Sequence, residues 1–487
     1  MSISTLQQLQ AGQLTSASRL SQQQEPIVRL QISANLTELP AEVFDLADSL
    51  EILDLSNNQL TELPDELETL LNMRILFLSN NDFAQIPAVL ARCPKLEMIS
   101  FKSNRLTSVG EGVLPVDTRW LILTDNQIET LPESMGQLHR LQKLALAGNR
   151  LSKLPDSMAD CQNLELARLS ANEFSSMPDW LFQLPKLAWL AFSGNEFNRA
   201  ATPSTNQSKL AVDSKASVIN VPLADIELSE LLGEGASGLI YRGDWLTQPS
   251  SLAGTDNHIA VKIFKGDVTS DGYPQDELDC CLSAGGQENL IKVIAKLDQS
   301  DAEEKLGLVM ELIPASYYNL GLPPSLITCT RDTFKQGTAF DVKTIAKIAL
   351  QMANAMSHLH ENGISHGDVY AHNTMIDDHG NALFGDFGAA TNLNFLEQVQ
   401  RDAMERIEVR AFGCLLDDLL PLVTGSSIDC TNDSAESSQG IEKLTALKNQ
   451  CMNHDCIARP SFVEIQQLCK LLIEQLCQQL MQEDSRS

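Results

Sequence analysis

The chain has 487 residues, 43% of them apolar, which is enough for packed cores in two to four domains and excludes disorder throughout. Its 64 acidic residues against 35 basic ones give a formal charge of −29, which disfavours a general affinity for nucleic acid or anionic membrane and favours a basic partner. Eleven cysteines without a C-x-x-C pair, an N-terminus with neither a basic nor an apolar leader region, and no run of about 18 apolar residues lead to the expectation of a soluble cytoplasmic protein.

Residues 1–29 are rich in Gln and Ser, and Leu6, Leu9, Leu14 and Leu20 predict a short helix that caps the open edge of a repeat array. Over residues 30–198 the pattern L-x-x-L-x-L-x-x-N-x-L-x-x-L-P recurs. Its asparagines are Asn58, Asn81, Asn104, Asn126, Asn149, Asn172 and Asn195, at steps of 22 or 23 residues, and Leu30, Ile32, Asn35, Leu36 and Leu39 form an earlier, shortened unit. That is the period of an α/β leucine-rich-repeat solenoid. Each unit supplies a short strand with inward leucines such as Leu53 and Leu55, while the asparagines are read as satisfying turn backbone groups. The outward positions line the concave face. One outward column reads Ile52, Ile75, Met98, Trp120, Lys143, Leu166 and Trp189, so Trp120, Trp189, Ile75 and Met98 are candidates for holding a protein partner. The competing reading is that this stripe packs on the chain's own second domain.

A linker comes next at residues 199–222, then a second domain at 223–480 and a tail at 481–487. The run Gly233-Glu234-Gly235-Ala236-Ser237-Gly238 lies between two apolar stretches, where Gly233, Gly235, Ser237 and Gly238 would let backbone N–H groups approach phosphate oxygens. A dinucleotide site would open a helix directly after such glycines. Here a strand comes instead, with Lys262 embedded in Ile259-Ala260-Val261-Lys262-Ile263-Phe264. A buried lysine needs phosphate and a carboxylate as partners, and Glu277 is preferred for the latter over Asp276 and Asp279. Further on, Ile364 to Gly388 holds Asp368, Asn373 and Asp386, with a hairpin through Asp378 to Asn381 that would return Asp386 to the loop. Phosphoryl transfer needs a carboxylate to accept a hydroxyl proton, which suits Asp368, and oxygen ligands for Mg²⁺, which suits Asn373 and Asp386.

The stretch His366-Gly367-Asp368 through Asp386-Phe387-Gly388 resembles the catalytic loop and D-F-G segment of protein kinases. The repeats, linker and second domain together, nearly the whole chain, resemble a bacterial family of leucine-rich-repeat serine/threonine protein kinases, which implies an α+β bilobal kinase-like domain, ATP and Mg²⁺ as cofactors, and a protein hydroxyl as acceptor. The resemblance makes Leu308 to Leu312 the segment between the lobes, with Glu311 and Leu312 beside adenine, Met310 at the back of the pocket, and Ala260 and Ile240 against the purine. It also marks departures. Gly367 stands where an arginine is common, Tyr370 where a lysine is usual, and only 22 positions separate Asp386 from Glu408, too few for a full activation segment. Arg459 in Ala458-Arg459-Pro460-Ser461-Phe462 therefore lacks its ordinary glutamate, and Glu405 and Glu408 are the replacements expected. A nucleotide-binding scaffold and a small-molecule kinase are the alternative readings.

Overall fold

The computed structural model describes residues 7, 25–198, 219–235, 237–265, 268–269, 271–298, 306–424 and 435–484. The chain forms two compact units, Met1–Leu184 and Pro185–Ser487.

In the first unit, strands β1 (Arg29–Gln31), β2 (Ile52–Asp54), β3 (Ile75–Phe77), β4 (Met98–Ser100), β5 (Trp120–Ile122), β6 (Lys143–Ala145) and β7 (Leu166–Arg168) pair in parallel in sequence order. Register places Leu53, Leu76, Ile99, Leu121 and Leu144 in one row, each at most 1% exposed. No single repeat can bury that row alone, so the stack is what stabilises the unit. Prolines of the repeat pattern such as Pro64 and Pro155 sit just before a short 3₁₀ segment, where their fixed φ is already correct. The asparagines form a ladder. Asn126 Nδ2 donates to Leu123 O at 3.0 Å and Phe101 O at 2.9 Å, and its Oδ1 accepts from Leu106 N at 3.0 Å. The expected N-terminal cap lies almost entirely outside the described residues.

The second unit opens with the last repeat strand, β8 (Trp189–Ala191). Strand β9 (Ile219–Val221) comes next, inside the stretch read from sequence as linker, and the rest of that stretch up to residue 218 is outside the described residues. The expected linker therefore ends early, because Val221 is fully buried in the sheet's core and Ile219 pairs with Ala295. That sheet has the order β10-β11-β12-β14-β13-β9, formed by β10 (Ile226–Glu234), β11 (Gly238–Trp245), β12 (His258–Phe264), β13 (Val293–Leu297) and β14 (Gly307–Glu311). Its core is Val221, Ile226, Ile259, Val261, Ile263, Ala295, Leu297 and Val309. Helix α1 (Pro274–Ala284) lies between β12 and β13 in the chain.

Strand β15 (Tyr318–Asn319) leads to helix α2 (Val342–Glu361), which is capped by Asp341 accepting from Thr344 N and which buries Ile345, Ile348, Met352, Met356 and Leu359 at helical spacing. Strands β16 (Ile364–Ser365), β17 (Thr374–Ile376), β18 (Ala382–Phe384) and β19 (Thr391–Asn392) frame the predicted catalytic stretch: β17 and β18 form the expected hairpin, and β16 pairs with β19. Helices α3 (Gln398–Leu419), α4 (Ala435–Cys451) and α5 (Phe462–Asp484) complete the unit.

Candidate active site

Strand β12 carries Lys262 inward at 7% exposure, and Glu277 on α1 is 3% exposed. Lys262 Nζ donates to Glu277 Oε1 and lies 3.6 Å from Asp386 Oδ1. Burial works against the Lys262 charge, yet Glu277 and Asp386 together hold its pKa above the ordinary value. Burial also pushes Glu277 up, with Lys262 pulling the other way. Asp386 resists desolvation and stays below the usual carboxylate range because Lys262 is near. Its side chain is 53% exposed.

The glycine-bearing loop joins β10 to β11, closed by Gly235 N donating to Gly238 O at 3.0 Å. A Cβ at Gly238 would lie 2.6 Å from Ile263 O, so only glycine fits there, whereas Gly233 and Gly235 have open space. Ser237 is buried; Ile240 pairs with Lys262, and Ala260 with Met310. Met310 and Leu312 are half-buried, while the Glu311 side chain turns outward to Lys292 and its backbone N–H donates to Lys292 O at 3.0 Å.

In the catalytic stretch, Asn373 Nδ2 donates to Asp368 O at 3.0 Å and to Asp368 Oδ2 at 2.9 Å. Gly385 N donates to Asn373 O at 3.3 Å, which seats Asp386 beside that loop. Asp386 itself is left-handed, with φ 62°. With its amide nitrogen committed, Asn373 offers an oxygen to a cation, and Asp386 offers an ionised carboxylate. Both are hard oxygen donors, so the pair fits Mg²⁺.

The structure adds contacts that no local pattern marks. Asp332 Oδ2 accepts from Ala371 N at 2.6 Å and its Oδ1 meets His372 Nδ1 at 2.6 Å, tying down the loop after Asp368. Glu408, fully buried, accepts from Gly367 N at 2.6 Å and contacts His360 Nε2 at 2.5 Å. His366 Nε2 donates to Gly385 O at 3.1 Å, and burial lowers the pKa of this imidazole.

Three expectations are corrected. Arg459 pairs with neither Glu405 nor Glu408: it donates to the carbonyls of Asn453, Arg406 and Pro185 at 2.8, 2.9 and 2.8 Å, while Glu405 accepts from Phe462 N. Trp189 is 1% exposed and stacks on Tyr370 with ring centroids 4.5 Å apart, so it offers no surface to a partner. Ile75 and Met98 are likewise buried, at 6% and 2% exposure. Of the four, Trp120 keeps partial exposure, with Lys143 Nζ 4.3 Å from its ring centroid.

Residues 226–414 match the protein tyrosine and serine/threonine kinase family, and residues 27–83 and 139–197 match leucine rich repeats. A probable serine/threonine-protein kinase of Dictyostelium discoideum is 22% identical over 277 residues, 51% of this chain and 28% of that one. The L-type lectin-domain containing receptor kinase IX.2 of Arabidopsis thaliana is 28% identical over 180 residues, 34% of this chain and 22% of its own. A solved leucine-rich-repeat protein of Leptospira interrogans is 29% identical with a TM-score of 0.30, covering 34% of this chain and 49% of that chain. The chain spans no more than 28% of the length of these two curated kinases. Among the described residues no helix is long and apolar enough to cross a membrane. This chain thus joins leucine-rich repeats to a protein kinase domain.

Proposed function

We propose that the chain is an ATP- and Mg²⁺-dependent protein kinase that moves the γ-phosphate of ATP to a protein hydroxyl, serine or threonine favoured, with the repeats recruiting a partner or substrate. The observation that carries this reading is the convergence of Lys262, Glu277 and Asp386 with Asp368 and Asn373, joined through the Gly385 to Asn373 hydrogen bond. When bound, Mg²⁺ supplies neutralisation of phosphate charge, held by Asn373 and Asp386. Lys262, kept cationic and in place by Glu277, binds phosphate oxygens. Asp368, oriented by the Asn373 amide, accepts the proton of the incoming hydroxyl. The loop of Gly233, Gly235 and Gly238 would lie over the phosphates, its turn closed by the Gly235 N–H to Gly238 O, so that other backbone N–H groups of the loop would face them. The eleven residues from Phe387 to Glu397 that separate Asp386 from α3 support a short activation segment.

One observation favours a second reading, a nucleotide-binding scaffold: Tyr370 replaces a cationic side chain and is 4% exposed. Radiolabelled Mg·ATP given to wild type and Asp368→Asn, with the protein itself and a cell lysate as acceptors, separates the two. Label from wild type alone is the expected result. No label from either protein, with Mg·ATP still raising the melting temperature, sinks the kinase reading and leaves the scaffold. Recruitment would fall to the strand face around Trp120, and Trp120→Ala is expected to slow labelling of lysate acceptors but not self-labelling.

A further inference from the structure

We propose that Pro185–Gly194 is a built-in brace on the catalytic loop, with Trp189 as the positioning residue for Asp368; the inference rests on the kinase reading above. The Trp189 ring lies 4° from parallel with Tyr370, two residues beyond Asp368, and its Nε1–H donates to Val369 O at 3.1 Å, one residue beyond. One indole thus grips both residues that come after the proton acceptor, by stacking and by a buried hydrogen bond. Phe192 N donates to Thr391 Oγ1 at 3.3 Å on the strand that pairs with β16, just before His366. A Cβ on Gly367 would come 3.1 Å from Leu190 O, so β8 runs directly against the residue preceding Asp368.

The same segment reaches the other half of the site. Gly194 has φ +72°, and a Cβ there would fall 2.6 Å from the Tyr273 ring and 2.7 Å from Asp276 Oδ2, at the start of the helix that carries Glu277. Arginines fasten its beginning: Arg410 donates to Lys186 O at 3.0 Å and Arg459 to Pro185 O at 2.8 Å. Arg459 is the residue left without a glutamate by the short stretch after Asp386, and the repeat backbone fills that role. Trp189 at 1% exposure, in a segment whose Pro185 and Lys186 carbonyls are bound by two arginines, has the packing of a core and not of a lid. The loop that positions Asp368 is therefore supported by the last repeat in place of a long activation segment. Tyr370 is the flat partner the indole needs.

The test uses the full-length protein with radiolabelled Mg·ATP and self-labelling as the readout, for wild type, Trp189→Ala, Trp189→Phe and Asp368→Asn. Trp189→Ala is expected to lower the rate at saturating Mg·ATP by about 10- to 100-fold, the cost of a misplaced catalytic group, with the half-saturating Mg·ATP concentration within about twofold of wild type. Trp189→Phe keeps a ring over Tyr370 and loses the N–H donor, so its rate should fall about fivefold below wild type, the worth of one hydrogen bond, and stay above Trp189→Ala. A merely structural tryptophan would shift the melting temperature without this split. If Trp189→Ala fails to fold, Trp189→Phe alone decides. A rate for Trp189→Phe equal to or faster than wild type, or a folded Trp189→Ala with unchanged rate, overturns the brace while leaving the kinase reading intact. Wild type as inactive as Asp368→Asn overturns both.

Discussion

Lys262 and Glu277 show what a buried ion pair costs when one partner is lost. Lys262→Met would strand the Glu277 carboxylate at 3% exposure, and removing one member of such a pair typically costs about 3–5 kcal/mol. Urea denaturation should show that loss, and the Lys262→Met, Glu277→Leu double variant should lose less than the sum of the single changes, since the buried Glu277 charge is then gone and only the half-exposed Asp386 still lacks Lys262. Both variants abolish transfer on the proposed reading. Gly367 makes a second case. Its φ of +73° and the collision of a would-be Cβ with Ala389 O leave no room for a side chain, which is why the arginine common at this position is absent. Gly367→Ala should destabilise the second unit by about 1–2 kcal/mol from the backbone alone, and more if Ala389 cannot move, again read by urea denaturation.

Helix α5 is started by a reciprocal box in its first turn. Ser461 N and Oγ both donate to Glu464 Oε2, at 2.7 and 2.9 Å, and Glu464 N donates back to Ser461 Oγ at 3.3 Å. Ser461→Ala should cost about 1 kcal/mol, the usual worth of such a cap. Hydrogen bonds from Ser461 hold the Glu464 pKa below its ordinary 4.5. A carboxylate depressed in the folded state stabilises above its unfolded pKa and loses that contribution as pH falls through the folded one. Denaturation midpoints of wild type and Glu464→Gln should therefore differ most above about pH 4.5 and converge on acidification below it. In the repeats, Asn126 bonds three backbone groups across neighbouring turns. Asn126→Ala leaves buried carbonyls unpaired, so a loss of about 2–3 kcal/mol is expected on thermal unfolding.

The contact boundary between the two units falls at Leu184, inside the repeat run, because the last repeat packs as part of the kinase domain. A fragment that begins at residue 219 would leave Arg459, Arg410 and Tyr370 without Pro185, Lys186 and Trp189. It should unfold at a lower temperature than one that begins at residue 185, measured by calorimetry. The repeat architecture was legible because a period of 22 or 23 residues is a local signal repeated many times, and the structure carries it as a parallel sheet. Lys262, Asp368, Asn373 and Asp386 could be picked out because each stands in a short stretch whose residue types make chemical sense at that spacing, and the fold brings them together. Asp332, Glu408 and Trp189 could not be assigned their contacts in this way. Asp332 reaches Ala371 across 39 residues, Glu408 reaches Gly367 across 41, and Trp189 reaches Val369 across 180. Periodicity and motif report on neighbours along the chain, so they marked two domains and the candidate side chains that the fold gathers. Which outward tryptophan would be buried, and what would support the loop after Asp368, depended on surfaces that meet only when the chain folds, and tertiary packing alone decided it.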